Sequence, residues 1–246
     1  MTTLRTLALI ALTSVCCTST KTTQPAAPSA GPESEPRGEQ SSAAKTDDGN
    51  SAIDNVGIHI IKTLEGSKLI ANSATGPAFQ LTATGASVTV FDAGTSFPGF
   101  NIDGQIVLVS FADRQKFAQD AAAPGVMLAQ HFEWEAEHFK KTMADSVLPP
   151  VKLHLAFKEC GVVCGDWVLE PAPGSSLPRN LATSIALPTG VLVLTTPVTS
   201  DNTSDDDLRA VLYGIAKTLQ TQESPFDLRE IAAAERARAT GQPPAP

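Results

Sequence analysis

The sequence predicts an α+β fold, a single domain of short strands and amphipathic helices that covers residues 52–236. Three observations predict it. The first third of this stretch carries short β-branched and aromatic runs separated by glycine and proline, as strands and turns do. Longer segments with apolar residues at helical spacing follow, and one continuous apolar run is short enough for a buried strand. About 185 residues are a normal size for one domain with one core.

Composition and charge exclude several classes of protein. The chain has 246 residues, of which 42% are hydrophobic and 18% are charged, and its formal net charge is -8. The excess of acidic residues argues against a nucleic-acid partner, because a nucleic-acid interface needs a basic face. The chain has no run of about twenty apolar residues, so we expect no membrane-spanning helix.

The N-terminus has the pattern of a bacterial lipoprotein signal. Arg5 precedes a short apolar stretch at residues 7–12, and Cys16 and Cys17 follow. We therefore predict a signal peptide of the lipoprotein type at residues 1–16 and a lipid anchor on Cys16 or Cys17. The domain would then face the periplasm or the exterior in a bacterial cell envelope. The alternatives are an ordinary cleaved signal, or two unmodified cysteines.

Two segments outside the domain are predicted to be disordered. Residues 17–51 are rich in Thr, Ser, Pro, Ala, Gly, Glu and Lys, with almost no large apolar side chain. Such a segment buries too little surface to offset the entropy of ordering it. We predict a flexible tether at residues 17–51 and, for the same reason, a disordered tail at residues 237–246.

The predicted elements follow in order along the domain. Short β-branched or aromatic runs predict four strands, at Ile58–Leu64, Ala78–Thr84, Ser87–Phe91 and Gln105–Phe111. Residues 113–146 have a helical pattern with a break at Pro124. Alternation of apolar and polar residues predicts a half-buried strand at Val151–Phe157. The apolar run Val191–Leu194 lies between two prolines and predicts a buried strand.

The helix after this strand is the best specified element. Ser204 is a good N-cap, and Asp205–Asp207 place carboxylates at the positive end of the helix dipole. The predicted core face comprises Leu208, Val211, Leu212, Ile215 and Leu219. Ala210, Gly214 and Thr218 form a second stripe of small residues. Because glycine in mid-helix costs about 1 kcal/mol relative to alanine, we predict close approach of another element, or a groove wall, along that stripe.

Two passages resemble a group of zinc metallopeptidases. Asn180–Thr195 is similar to a passage that leads through an apolar strand in the gluzincins, the group with the CaaX prenyl protease and periplasmic chaperone-proteases, and Asp207–Leu212 resembles the start of their active-site helix. In that family the helix continues into H-E-x-x-H, which binds zinc and activates water. Here those positions read Gly214, Ile215, Ala216, Lys217 and Thr218. The resemblance implies a degenerate zincin-like fold without peptidase activity, whose peptide-binding cleft is retained.

A different set of residues could hold a metal ion. His131, Glu135 and His138 lie at i, i+4 and i+7 of a helix predicted at Val126–Ala144, so they share one face. Two histidines and a carboxylate are able to hold zinc or iron. One helix supplies too few converging ligands, so we expect a solvated face, without metal or other cofactor.

Two cysteines lie close together inside the domain. Cys160 and Cys164 follow the strand predicted at Val151–Phe157. In an oxidising compartment this spacing favours a disulfide that closes a small loop. Zinc binding would need two further ligands.

The sequence therefore favours a non-catalytic envelope lipoprotein with a protein- or peptide-binding domain. We place the cleft beside the strand that carries Val191 and Val193, along Ala210, Gly214 and Thr218. The alternatives are an active zinc metallohydrolase that uses His131, Glu135 and His138, and a purely structural envelope lipoprotein. The predicted partners are the lipid bilayer, through the acyl anchor, and a protein or peptide.

Overall fold

The computed structural model describes most of the predicted domain. The described residues are 56–73, 77–92, 98–118, 123–142, 146–147, 154–171, 173, 178–198 and 203–241. The signal peptide, Cys16, Cys17 and the tether lie outside these residues and stay predictions. The described residues form the predicted α+β fold. None of the helices in these ranges has both the length and the apolar character needed to cross a membrane.

Twelve strands and four α-helices occur in the described part of the chain. The strands are β1 (Gly57–Lys62), β2 (Gly66–Asn72), β3 (Ala78–Thr84), β4 (Val88–Asp92), β5 (Pro98–Ile102), β6 (Gln105–Asp113), β7 (Ser146–Val147), β8 (His154–Leu155), β9 (Cys164–Pro171), β10 (Asn180–Leu187), β11 (Gly190–Pro197) and β12 (Gln220–Gln222). The helices are α1 (Pro124–Thr142), α2 (Phe157–Cys160), α3 (Asp205–Ala216) and α4 (Leu228–Thr240). A 3-10 turn at Arg114–Lys116 follows β6.

The strands form two antiparallel sheets. The small sheet has the order β1-β2-β3-β12. The large sheet has the order β4-β5-β6-β11-β10-β9-β7, and β8 also pairs with β9. Every strand pair among the described residues is antiparallel. The small sheet joins distant parts of the chain, because β12 pairs with β3.

The main core lies between the two sheets. The inner face of the small sheet and one face of α3 pack on the same face of the large sheet. The buried side chains of this core include Leu69, Leu81, Phe100, Val109, Leu192, Leu194, Leu208 and Leu212. Ser204 caps α3 as predicted, since its Oγ accepts a hydrogen bond from the N–H of Asp207 at 3.1 Å. The helix ends at Ala216, so Leu219 lies outside it.

Helix α1 covers the opposite face of the large sheet. Met127, Leu128, Phe132 and Phe139 pack there against residues of β9, β10 and β11. All eight residues of β11 are buried, because helix α1 covers one face of it and the main core the other. The prediction of a doubly buried strand at Val191–Leu194 is therefore confirmed.

Helix α4 covers the outer face of the small sheet. Ile70 and Ala78 pack against Phe226 and Leu228. The side chain of Asn72 donates a hydrogen bond to the carbonyl of Phe226 at 3.0 Å and accepts one from its N–H at 2.9 Å. These bonds fix the segment that leads into α4.

Helix α4 also corrects the predicted end of the domain. The sequence analysis assigned residues 237–246 to a disordered tail, but the helix continues to Thr240 and is capped by Gly241 with a φ of 68°. Lys68 and Arg238 each form an ion pair with the buried Glu235, at 3.0 and 2.9 Å. The last turn is therefore held against the small sheet by charge, which a search for apolar residues overlooks.

The strand predicted at Val151–Phe157 is only partly present. His154 and Leu155 pair with β9 as the two-residue strand β8, and Phe157 instead begins the short helix α2. The side chain of Phe157 is 56% exposed. The alternating pattern therefore ends before Phe157, and residues 151–153 lie outside the described part.

Candidate functional site

The structure does not form the cleft predicted from the sequence. Val191 and Val193 are buried beneath helix α1, in a cluster with Met127 and Phe132. Helix α3 packs on the other face of the large sheet, where Leu192 points. Successive residues of a strand point to opposite faces, so these two valines and α3 never meet. The prediction that they line one cleft is wrong.

The stripe of small residues on α3 is not a contact surface either. Ala210 and Gly214 are exposed, and apart from its chain neighbours and the backbone of its own helix no described atom lies within 4 Å of where a side chain at Gly214 would begin. The predicted close approach at Gly214 is wrong, because this face of α3 is turned away from the sheets. Thr218 lies beyond the helix end, and its Oγ1 accepts a hydrogen bond from the N–H of Thr82 at 2.7 Å. Thr218 therefore joins the end of α3 to strand β3.

The structure instead opens a cleft between the two sheets, of about 940 Å³. Its first wall is formed by the start of β1, the end of β2 and the start of β3, and its second by the end of β6 and the turn between β10 and β11. Apolar lining residues are Val56, Ile58, Phe79, Phe111, Leu187 and Pro188. Ligand sites typically enclose about 300–1,000 Å³ behind mostly apolar walls, so this inter-sheet cleft has the size of a binding site.

Close strand packing shapes the floor of the inter-sheet cleft. The rings of Phe79 and Phe111 lie 6.5 Å apart and join the two walls. Gly190 begins β11 beside them, and a side chain there would lie 2.2 Å from the carbonyl oxygen of Ala112. Glycine at this position is therefore what allows β11 to pack so closely on β6.

A positively charged residue, Arg114, belongs to the lining of the inter-sheet cleft. The 3-10 turn that carries Arg114 is held by a hydrogen bond from the N–H of Arg114 to the carbonyl of Thr189, at 2.9 Å. Asp113 is used within the turn, because its Oδ1 accepts from the N–H of Gln115 at 2.8 Å. No ion pair joins Arg114 to a carboxylate of the described residues. Its guanidinium is suited to a carboxylate on a ligand.

One edge of the inter-sheet cleft continues into an exposed apolar stripe on β1. Val56, Ile58 and Ile60 are 46%, 50% and 46% exposed. Ile58 and Ile60 alternate along β1, so their side chains lie on one face of the small sheet, and Val56 directly precedes the strand. Ile60 pairs with Leu69, which is fully buried on the face directed to the large sheet. We call these three residues the β1 stripe.

The candidate metal ligands are only partly brought together. His131 is fully buried, and its Nε2 lies 3.4 Å from Oε1 of Glu135. Neither ring nitrogen of His131 forms a hydrogen bond with the described residues. The ring of Phe117 meets that of His131 edge-on at 5.2 Å, whereas His138 stacks on Trp134 at 5.8 Å. The expectation of a solvated face is wrong for His131, which aromatic rings surround.

No group of three or more potential metal ligands is found among the described residues. A catalytic zinc site also keeps one open position for water. His131 has no exposed surface on which such a position could be built. His131 and Glu135 therefore offer a contact without an accessible coordination site.

A buried polar network that the sequence analysis missed joins α3 to the large sheet. Asp166 of β9 accepts hydrogen bonds from the hydroxyl of Thr183, at 2.8 Å, and from that of Tyr213. Arg209 lies 3.6 Å from the same carboxylate. Burial raises the pKa of Tyr213 and its hydrogen bond to Asp166 raises it further. All these groups are partnered, which suits a structural role.

A second part of this network lies at the start of α3. Arg179 donates two hydrogen bonds to Asp205, at 2.6 and 2.7 Å, and one to Glu170 at 2.6 Å. The hydrogen bonds from Arg179 lower the pKa of Asp205, against the opposing effect of burial. The N-terminal turn of α3 is thus tied to the loop before β10.

The two inner cysteines lie on successive elements of the chain. Cys160 is the last residue of α2, and Cys164 is the buried first residue of β9. The side chain of Cys160 lies outside the described part of the structure. The disulfide between them stays a prediction.

Comparison with known proteins supplies no relative: no family model, no curated protein and no solved structure matches this chain. The resemblance to gluzincins therefore stays a prediction. Function has to be argued from the inter-sheet cleft itself.

Proposed function

We propose that this chain is a lipid-anchored binding module of a bacterial cell envelope, and that the inter-sheet cleft binds an apolar segment of a protein or peptide partner. The observation that carries the proposal is the cleft of about 940 Å³ with largely apolar walls. The sequence contributes the envelope location, through the signal pattern that ends at Cys16 and Cys17.

The chemistry of the inter-sheet cleft favours a ligand that is apolar with a negative end. Phe79, Phe111 and Leu187 provide apolar walls, and Arg114 provides a positive charge beside them. Burying apolar side chains here gives about 25 cal/mol per Å² removed from water. A carboxylate at Arg114 fixes the orientation of the ligand.

Binding is favoured over hydrolysis by the groups that line the inter-sheet cleft. Among the residues that the structure describes, the lining includes Asp113, Arg114 and Glu223 but no histidine or cysteine. Asp113 caps its own turn, and Glu223 is exposed. No contact joins these two carboxylates among the described residues, and a general acid and base have to act together, so the lining favours binding. The metallohydrolase alternative would use His131, Glu135 and His138, none of which lines the inter-sheet cleft.

Photo-crosslinking in intact cells tests the proposal. A photoreactive amino acid placed at Thr189, at the rim of the inter-sheet cleft, should form adducts with a defined partner. The same amino acid at Ala210, which is also exposed but lies on α3, is the matched control and should form none. Equal labelling from both positions, or from neither, would contradict the proposal.

A further inference from the structure

The small sheet projects one strand beyond the edge of the large sheet. β2 packs against β4, and β3 packs against β5. β4 is the edge strand of the large sheet, while β1 lies one strand further out than β2. β1 therefore overhangs a position beside β4 where the described residues place no strand.

The overhang of β1 explains why the β1 stripe is exposed to solvent. Leu69 on β2 is fully buried because β4 lies beneath it, with Val88 and Val90 packed against the same core. Ile60 is the direct neighbour of Leu69 on β1 and stays 46% exposed. Exposed apolar residues at alternating positions on an edge strand mark a site where another strand can add.

Two unpaired strand edges border the same position. Among the described residues β1 pairs only with β2, and β4 pairs only with β5. Within the described part of the chain, each therefore has a row of N–H and C=O groups without a strand partner. A strand placed beside β4 would satisfy one row and cover the β1 stripe.

We propose that a second copy of this chain fills this position. With a twofold axis parallel to β1, the β1 strand of each copy lies beside β4 of the other. The two β1 stripes then pack against each other, and both sheets continue across the interface. Such an interface is isologous, because the same projecting strand and the same recess serve both copies.

The geometry favours a second copy over an unrelated peptide. The projecting strand β1 of one copy fits the vacant position beside β4 of another copy, and the reverse, so the molecule is complementary to itself. The chain outside the described part enters at Val56, directly before β1. A twofold axis parallel to β1 sends both N-terminal segments out at the same end. On the proposed lipid anchor, both copies then reach the same membrane.

Pairing of β1 with β4 across the interface has to supply most of the contacts between the two copies. A stable interface buries about 800 Å² on each partner, and three half-exposed side chains fall far short of that. The β1 stripe shares Val56 and Ile58 with the inter-sheet cleft. The second copy therefore covers the part of the inter-sheet cleft that these two residues line.

Native mass spectrometry of the acylated full chain, released from detergent micelles, tests the dimer. The wild-type chain should give the mass of two copies. Ile60→Lys places a charge on the β1 stripe and should abolish that species. Val126→Lys is the matched control, because Val126 is similarly exposed, at 52%, but lies on α1, and it should remain dimeric. A monomeric wild type or a dimeric Ile60→Lys chain would overturn the proposal. So would a single acylated copy that carries the additional mass of a non-covalently bound peptide or lipid.

Crosslinking in the membrane gives a second test of the dimer, and it does not require a charged residue in the β1 stripe. Ile60→Cys lies near the twofold axis and should join two copies through a short thiol crosslinker, whereas Val126→Cys should not. Equal dimer yields from the two variants would overturn the proposal. Ile60 does not line the inter-sheet cleft. If the chain is monomeric but Thr189 still forms photo-adducts, the dimer is excluded and the proposed function stands. If the wild type is dimeric but Thr189 forms no adducts, the proposed function is excluded and the dimer stands.

Discussion

Asp166 shows how one buried residue fixes the position of helix α3. It lies on β9 and binds the hydroxyl of Thr183 on β10 and that of Tyr213 on α3. Buried carboxylates are costly unless they are hydrogen-bonded and paired with a cation, and Arg209 supplies the positive charge. The network therefore selects one position of α3 on the sheet.

The first residue-scale prediction concerns Tyr213, the only tyrosine of the chain. Its raised pKa means that the folded state holds the phenolic proton more tightly than the unfolded state does. The resulting stability is present below about pH 10, the ordinary pKa of tyrosine, and is lost as the pH rises towards the folded value. Ultraviolet absorbance should show no tyrosinate at about pH 10 until the protein unfolds. Asp166→Asn should make the signal appear at lower pH.

An unfolded sample is the control for that titration. In guanidinium the same tyrosine should titrate near its ordinary value of about 10. A folded protein that titrates together with the unfolded one would show that Tyr213 is not held by Asp166.

The second residue-scale prediction concerns Asp205. Its lowered pKa stabilises the fold above the unfolded pKa of 3.8, and this contribution is lost as the pH falls through the still lower folded value. Because the side chain is 32% exposed, solvent screening limits the effect. Asp205→Asn should lower the unfolding free energy by roughly 1 kcal/mol at pH 7, measured with urea, and by almost nothing below about pH 3.

Asp206→Asn is the matched control for Asp205→Asn. Asp206 lies in the same first turn of α3 and contacts Arg209 at 2.8 Å, but its side chain is 92% exposed. Its substitution should change the unfolding free energy by less than about 0.5 kcal/mol. Equal effects at the two positions would mean that the helix dipole, and not Arg179, is responsible.

At the scale of elements, helix α3 has a well-capped start, but its interior contains a destabilising glycine. Its N-cap and first turn are as the sequence predicts, while Gly214 contacts no described residue outside its helix. Gly214→Ala should therefore raise the unfolding free energy by about 1 kcal/mol, the difference in helix propensity. Urea unfolding is the measurement. A loss of stability would show that this face is covered in the native protein.

Gly190→Ala gives the contrasting result at the start of β11. The added carbon would lie 2.2 Å from the backbone oxygen of Ala112, so the strands must separate. We expect a loss of about 1–3 kcal/mol by the same measurement. Together the two substitutions distinguish a glycine required by packing from one that is not.

The sequence predicted elements well where periodicity and end signals agree. β3 has the predicted bounds Ala78–Thr84, and α3 begins after its predicted cap. β5 was missed because Pro98 and Gly99 indicate a turn, although proline is tolerated as the first residue of a strand. Helix α4 was missed because alanine and charged residues dominate it, and its buried Glu235 depends on partners elsewhere in the chain.

At the scale of the whole molecule, the proposed binding site depends on how two sheets are stacked. The walls of the inter-sheet cleft come from β1 and from a turn more than one hundred residues later in the chain, at Pro188 and Thr189. Sequence patterns predict which residues are apolar, but they do not show which strand edges project. They also do not show which helix covers which face of a strand, and the predicted cleft failed for that reason: Val193 lies under α1, while Gly214 lies on the exposed face of α3.

Filling the inter-sheet cleft tests the central claim most directly. Thr189→Trp places a large ring at its exposed rim, while Ala210→Trp adds the same ring to the exposed face of α3. Partner adducts would be measured from a photoreactive residue at Gln115, which also lines the cleft. The account predicts that Thr189→Trp reduces the adducts at least about tenfold, as a loss of 1.4 kcal/mol in binding requires, and that Ala210→Trp leaves them unchanged. Undiminished adducts in a folded Thr189→Trp chain would contradict it.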